Sequence, residues 1–119
     1  MIIDDDQMNR DFYEELLKDS GYQVDIASNG QEGLDKLQSD THYDLILLDI
    51  VMPIKDGIQM LKEFQASPHR SKHGKVYMLT SLGQESVAGN AKDLGADGFI
   101  AKADTSPEEL LEKVKSIVG

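Results

Sequence analysis

Short apolar runs alternate with amphipathic stretches along the whole chain. Runs of four to eight apolar residues are typical of buried strands, whereas apolar residues every three or four positions indicate a helix. The runs predict five strands, at 1–3, 23–27, 43–48, 75–79 and 98–101. The helical spacing appears at Phe12, Leu16 and Leu17; at Leu34 and Leu37; at Ile58, Leu61 and Phe64; at Val87, Ala91 and Leu94; and at Leu110, Leu111, Val114 and Ile117.

This alternation of strands and helices predicts an α/β fold. Parallel strands joined by helical crossovers form a sheet that is covered by helices on both faces. The last helix has a defined start, because Ser106 can serve as N-cap, Pro107 as first helical residue and Glu109 as partner in a capping box. No linker or low-complexity segment interrupts the pattern, so residues 1–119 are expected to form one domain.

The net charge narrows the range of partners. The chain of 119 residues carries a formal charge of −10 and has a pI near 4.5, so it should repel nucleic acid backbones rather than bind them. It contains no cysteine, which excludes thiol catalysis and cysteine-ligated metals. No stretch approaches the ~20 apolar residues of a membrane span, so we expect a cytoplasmic protein without membrane contact.

Carboxylates follow two of the predicted strands. Asp4 and Asp5 come after the first strand, and Asp49 comes after the third. Because ligands of open parallel sheets bind beyond the carboxyl ends of the strands, these groups should converge on one site. Such a cluster favours a hard divalent cation. Asp6 is better placed to cap the helix that follows.

Two further polar groups follow the last two strands. Thr80 comes after the fourth and Lys102 after the fifth. In this order the segments IIDDD, LILLDIVMPIKDG, MLTS and GADGFIAK resemble the receiver domain of two-component response regulators of the chemotaxis-regulator type. The resemblance covers essentially the whole chain. It implies a flavodoxin-like (βα)5 fold with a five-stranded parallel sheet in the order 2-1-3-4-5.

The resemblance also implies a magnesium-dependent phosphoacceptor. Asp49 would be the nucleophile that accepts a phosphoryl group. Asp4, Asp5, Asp49 and the backbone carbonyl of Val51 would hold Mg²⁺, with one of the first two carboxylates acting through water.

The resemblance assigns three more residues to the reaction and the switch. Lys102 would supply a second cation, and the Thr80 hydroxyl would bind a phosphoryl oxygen once it is present. Phe99 occupies the position of the family's switch aromatic, which would turn inward as Thr80 moves.

The implied partners follow from what receivers do. The phosphoryl group would come from a histidine kinase or a histidine phosphotransfer protein, and the signal would pass to a downstream protein or output domain. The domain would not be an enzyme in the ordinary sense, since it catalyses only its own phosphorylation and dephosphorylation. A homodimer through the fourth predicted helix, the last strand and the last helix is a further expectation.

One departure from the family pattern leaves an alternative open. Lys102 is followed by Ala103 instead of the usual proline, so we expect a trans bond there, because a cis bond before alanine costs ~2.5–4 kcal/mol. A receiver-like module that works without phosphorylation is therefore one alternative. A second is a haloacid-dehalogenase-like phosphatase in which Asp4 attacks. A flavodoxin is disfavoured, since carboxylates stand where a phosphate-binding loop would lie.

The histidines suggest no metal site. His42, His69 and His73 are expected at the surface, and the basic segment 68–75 is expected to be a solvated loop.

Overall fold

The computed structural model describes residues 1–81 and 92–119. Its strands are β1 (Ile2–Ile3), β2 (Ile26–Ala27), β3 (Leu45–Asp49), β4 (Lys75–Thr80) and β5 (Gly98–Ala101). Its helices are α1 (Gln7–Asp19), α2 (Gly30–Leu37), α3 (Gly57–Ala66) and the C-terminal α4 (Pro107–Val118), and a 3-10 turn spans Arg70–Lys72.

The five strands form one parallel sheet in the order β2-β1-β3-β4-β5. The predicted flavodoxin-like topology is therefore confirmed. Successive residues of a strand point to opposite faces, and the core divides accordingly. Ile3, Leu48 and Met78 pack on one face with α2 and α3, whereas Ile2 and Leu79 pack on the other with α1 and α4.

Two predicted segments differ most from the structure. The second strand is regular only at Ile26–Ala27, although the apolar run begins at 23. Leu94, predicted on a helix, lies in a turn at 92–95, where the Gly95 N–H donates to the Lys92 carbonyl and Leu94 packs against the core. The rest of that predicted helix, including Val87 and Ala91, lies outside the described residues.

Helix starts agree with the expected caps. The Asp6 carboxylate accepts a hydrogen bond from the Asn9 N–H at the start of α1 (3.1 Å). Ser106 and Glu109 form the predicted capping box at the start of α4, with Pro107 in its first turn. Each cap satisfies backbone N–H groups that have no partner within the helix. Among the described residues, no helix is long and apolar enough to cross a bilayer.

His73 is buried, so the expectation that it lies at the surface was wrong. Its Nε2–H donates to the Leu37 carbonyl (2.8 Å), and its Nδ1 accepts from the Tyr43 N–H (3.1 Å). Burial lowers the pKa of this imidazole. The neutral ring thereby joins α2 to the start of β3, which is a structural role.

The basic segment is likewise less solvated than expected. The Arg70 guanidinium donates to the Gly74 carbonyl (2.8 Å) and lies 5.2 Å from the centre of the Phe64 ring. It also pairs with Asp97 at 3.7 Å. Arg70 therefore anchors the connection between α3 and β4 to the turn before β5. His42 is exposed and His69 is partly exposed.

Candidate functional site

The sheet brings four strand ends to one edge. Asp49 is the last residue of β3 and Thr80 the last of β4, while Asp4 directly follows β1 and Lys102 directly follows β5. Asp49 pairs in register with Leu79, and Thr80 with Ala101. Because these strands are neighbours and parallel, their polar ends meet at the carboxyl edge of the sheet.

A cluster of three carboxylates lies at this edge. Asp4, Asp5 and Asp49 each offer one oxygen, and these oxygens lie within 4.8 Å of one another. Asp4 is fully buried and Asp49 is 7% exposed, whereas Asp5 is exposed. Ligand oxygens of an octahedral Mg²⁺ are roughly 3–4 Å apart, as metal–oxygen distances of about 2.1 Å require. Three hard oxygen donors gathered at one place therefore form a donor set that fits Mg²⁺.

Lys102 neutralises part of this negative charge. Its Nζ lies 3.0 Å from Asp4 Oδ2 and 3.5 Å from Asp49 Oδ1. Burial alone would lower the pKa of this lysine, but its hydrogen bond with Asp4 and the charge of Asp49 raise the pKa overall. The bond between Lys102 and Ala103 is trans, as expected. The lysine reaches the carboxylates without the family's proline.

Arg10 and Asn9 belong to this site, and sequence reasoning missed both. Arg10 Nη1 donates to the backbone carbonyl of Asp4 (2.8 Å), and Asn9 Nδ2 lies 3.5 Å from Asp4 Oδ2. The Asp6 N–H donates to Asp4 Oδ1 (3.0 Å). The first turn of α1 thus fixes the backbone and carboxylate of Asp4. The sequence offered one signal for these two residues. Both lie within about one helical turn of Asp6, which caps the helix after the acidic cluster.

The position of Asp49 depends on the junction between β3 and α3. The Ile50 N–H donates to Asp49 Oδ1 (2.9 Å), and the Gly57 N–H donates to the Ile50 carbonyl (2.7 Å). A Cβ on Gly57 would lie 2.1 Å from the Asp49 carbonyl oxygen. The start of α3 is therefore in direct contact with the strand end that carries Asp49, and only glycine fits.

The remaining predicted residues lie on β4, on β5 and in the loop after β3. Thr80 is buried, and its Oγ1 donates to the Ile100 carbonyl at 3.4 Å. Phe99, on the neighbouring strand, is 43% exposed, so its ring points outward in this structure. Val51 lies in the loop after Asp49 with its side chain exposed. Since a valine side chain has no metal-binding atom, its backbone carbonyl is the group that it could offer to a metal.

The Asp49 carboxyl group titrates unusually. Burial, followed by the nearby charge of Asp4, raises its pKa from 3.8 to about 6, although Lys102 and the Ile50 N–H favour the ionised form. The folded protein therefore holds this proton more tightly than the unfolded chain does.

This shift predicts a pH dependence of stability. Without metal, the contribution of Asp49 to the free energy of unfolding should fall as the pH rises from about 4 to about 6. A shift of this size corresponds to about 3 kcal/mol, which solvent screening at the open edge reduces to about 2 kcal/mol. We compare Asp49→Asn with wild type by urea unfolding in EDTA. The free energy of unfolding of the variant, relative to that of wild type, should rise by that amount between pH 4 and pH 7. Parallel profiles for the two proteins would contradict the prediction.

Comparison with known proteins agrees with this geometry. The profile of the response regulator receiver domain matches residues 1–115. The chemotaxis protein CheY of Halobacterium salinarum is 36% identical over 110 residues, which cover 90% of this chain and 86% of that protein. The transcriptional regulatory protein CpxR of Escherichia coli is 35% identical over 118 residues, which cover 99% of this chain and 48% of that protein.

Solved structures show the same similarity. A CheY-like receiver domain from Methanospirillum hungatei superposes with a TM-score of 0.83 at 31% identity, over 98% of this chain and 90% of that one. The chemotaxis regulator CheY4 of Vibrio cholerae gives a TM-score of 0.84 at 28% identity, over 98% and 94% of the two chains.

The chain belongs to the response regulator receiver domain family. It is thus a signalling domain of two-component systems, and the phosphatase and flavodoxin alternatives are not supported. The chain spans about half the length of the transcriptional regulators that it matches.

Proposed function

We propose that Asp49 accepts a phosphoryl group from a phosphohistidine, in a Mg²⁺-dependent reaction. The observation that carries the proposal is the convergence of Asp4, Asp5, Asp49 and Lys102 at the carboxyl edge of the sheet. A buried carboxylate with a cation beside it and an acidic metal site around it suits attack on phosphorus, because the developing charge is balanced on two sides.

The metal would be held by the carboxylates of Asp4, Asp5 and Asp49 and by the backbone carbonyl of Val51. When bound, Mg²⁺ would neutralise negative charge on the oxygens of the transferring phosphoryl group. Asp4 is already engaged by Lys102 and by the Asp6 N–H. Of the two carboxylates that follow β1, Asp4 therefore suits the contact through a water molecule.

The chain's own groups would do the following. An Asp49 oxygen attacks phosphorus; the new P–O bond forms as the P–N bond to the donor histidine breaks, and the imidazole leaves with the electron pair. Lys102 turns from Asp49 to a phosphoryl oxygen. The Thr80 hydroxyl gives up its 3.4 Å contact with the Ile100 carbonyl and donates to another phosphoryl oxygen. Phe99 then turns inward from its exposed position, which alters the surface that partners contact.

The proposed partners are those of a receiver. The donor is a histidine kinase or histidine phosphotransfer protein, and the recipient of the signal is a downstream protein or an output domain. Like CpxR, some relatives are transcriptional regulators, and their length leaves room for further segments. We place the domain in the cytoplasm, with no direct nucleic acid binding. A homodimer through β5, α4 and the segment that includes Val87 would suit such an output.

The test is the intact mass after incubation with phosphoramidate, with Mg²⁺ or with EDTA. We expect a gain of one phosphoryl group only with Mg²⁺, and no gain in Asp49→Ala. No gain in a folded, Mg²⁺-binding wild type would refute phosphorylation and favour the module that works without it. Continuous release of phosphate from a simple ester, lost in Asp4→Asn, would instead indicate the phosphatase.

A further inference from the structure

Ile54 adopts a backbone conformation that its side chain disfavours. It lies in the loop between β3 and α3 with φ at +68°, the one non-glycine residue with positive φ among residues 1–81 and 92–119. The Lys55 N–H donates to the Pro53 carbonyl (2.7 Å), which closes a three-residue turn around Ile54. A γ-turn with positive central φ is the rarer, strained form, and a β-branched residue is the least suited to it.

Packing within the domain does not offset this strain, because the Ile54 side chain is 81% exposed. Glycine or asparagine would adopt the turn more readily and would lose little buried contact. An exposed aliphatic side chain at a strained position therefore points to a contact outside the isolated domain.

Other exposed apolar residues lie near the site as well. Met8, in the first turn of α1, is 82% exposed, and Val51 is 63% exposed. Both segments begin where a strand ends, at the edge that carries Asp49. Met8, Val51 and Ile54 are called the apolar rim below.

The charges around the apolar rim have one sign. The exposed ionisable side chains of the loops after β1, β3 and β5 are acidic: Asp5, Asp6, Asp56 and Asp104. The cations of the same region are engaged within the domain. Lys55 pairs with Glu63, Arg10 donates to the Asp4 carbonyl and Lys102 pairs with Asp4. A complementary surface would have an apolar centre and a border of lysine and arginine side chains.

We propose that Ile54, supported by Met8 and Val51, is the main apolar contact for the protein that donates the phosphoryl group to Asp49. This inference rests on the proposed function. Asp49 is only 7% exposed, so a donor histidine reaches it only if the donor protein covers this edge of the sheet. The turn fixes the backbone of Ile54 before the donor arrives, so little backbone freedom is lost on binding.

The test compares two donors on two variants. Phosphoramidate is too small to touch Ile54, whereas a purified histidine phosphotransfer domain carrying phosphohistidine covers the rim. The transfer domain is the one in a panel that phosphorylates the wild type fastest. Ile54→Gly removes the side chain and relieves the strain, and Ile54→Val keeps an apolar, β-branched side chain as the matched control.

We expect Ile54→Gly to keep its phosphoramidate rate within about twofold and to melt at a higher temperature than wild type. Its kcat/KM for transfer from the phosphorylated domain should fall at least tenfold, mainly through KM. Ile54→Val should remain close to wild type in all three measurements. Raising the salt concentration should slow protein transfer but not phosphoramidate labelling, since only the former uses the acidic surroundings of the rim.

Three results would overturn the inference. Equal protein transfer to wild type and Ile54→Gly would show that the side chain is not a donor contact. A change in sedimentation on substitution, with transfer unchanged, would assign the rim to a second copy of the chain. Absence of transfer from every phosphohistidine donor, with phosphoramidate labelling intact, would also refute it. Failure of phosphoramidate labelling in the wild type would instead count against the proposed function itself.

Discussion

Replacing Lys102 by alanine should slow Mg²⁺-dependent phosphorylation by phosphoramidate by about two to three orders of magnitude. The amine lies between Asp4 and Asp49, at 3.0 and 3.5 Å from their oxygens, where the charge of the transferring group would develop. Removing one preorganised donor from such a position commonly costs ~10²–10³ in rate. The rate of mass gain under saturating Mg²⁺ measures the effect directly.

A matched control separates this effect from a general loss of charge. Lys75→Ala removes one positive charge from the exposed start of β4, at the opposite edge of the sheet. Its phosphorylation rate should stay within about twofold of wild type, since charges that far apart are screened in ordinary salt. Wild-type rates in Lys102→Ala would contradict a role for the lysine in the reaction.

Gly57→Ala should lower the free energy of unfolding by about 3 kcal/mol, at the upper end of the range for forced insertion of a methyl group. The added Cβ would meet the Asp49 carbonyl oxygen at 2.1 Å and the Ile50 Cα at 3.0 Å. Both atoms belong to the backbone, so neither can move without displacing the end of β3. Urea unfolding in the presence of EDTA measures the change without a contribution from metal binding.

Gly33→Ala is the natural comparison, because the same substitution is made inside a helix. Its Cβ would meet Ile3 Cδ1 at 2.6 Å, which is the far end of a flexible side chain. The higher helix propensity of alanine, about 1 kcal/mol, offsets part of the crowding. We therefore expect a much smaller loss for Gly33→Ala. Equal losses for the two variants would show that contact with the backbone at Asp49 is not the cause.

The fold could be predicted because its signals are local and periodic. The apolar runs that became β1, β3, β4 and β5 are bounded by polar groups. Because the strands are parallel, the polar residues at their carboxyl ends lie along one edge of the sheet. Asp6 and Ser106 could be recognised as caps from the few residues around them. The sequence pattern therefore predicted the α/β class and the convergence of Asp49 with Lys102, whereas the strand order came from the resemblance to receiver domains.

What escaped prediction depends on partners that are distant in sequence. The burial of His73 follows from bonds to Leu37 and Tyr43, which lie 36 and 30 positions away. Neither partner is marked by residue type, because both offer backbone atoms. Leu94 shows a similar limit, since its spacing fits a helix although it packs on the core from a turn.

The strained turn at Ile54 escaped for a different reason. Isoleucine favours extended backbone, so its own propensity argues against a positive φ. The conformation is imposed by the short connection between Asp49 and the start of α3, where the Gly57 N–H binds the Ile50 carbonyl. Local propensity is overruled here by the geometry of the elements on either side.

The ion pair between Lys102 and Asp4 joins residues 98 positions apart. The three carboxylates are all in the first half of the chain, and their lysine is synthesised about fifty residues after the last of them, at an N-to-C pace of roughly 5–20 residues per second. A nascent chain therefore carries the acidic cluster for several seconds without its protein cation. During that interval the three carboxylates repel one another without the lysine, so the charge at this edge of the sheet is not balanced from within the chain until the end of β5 has been made.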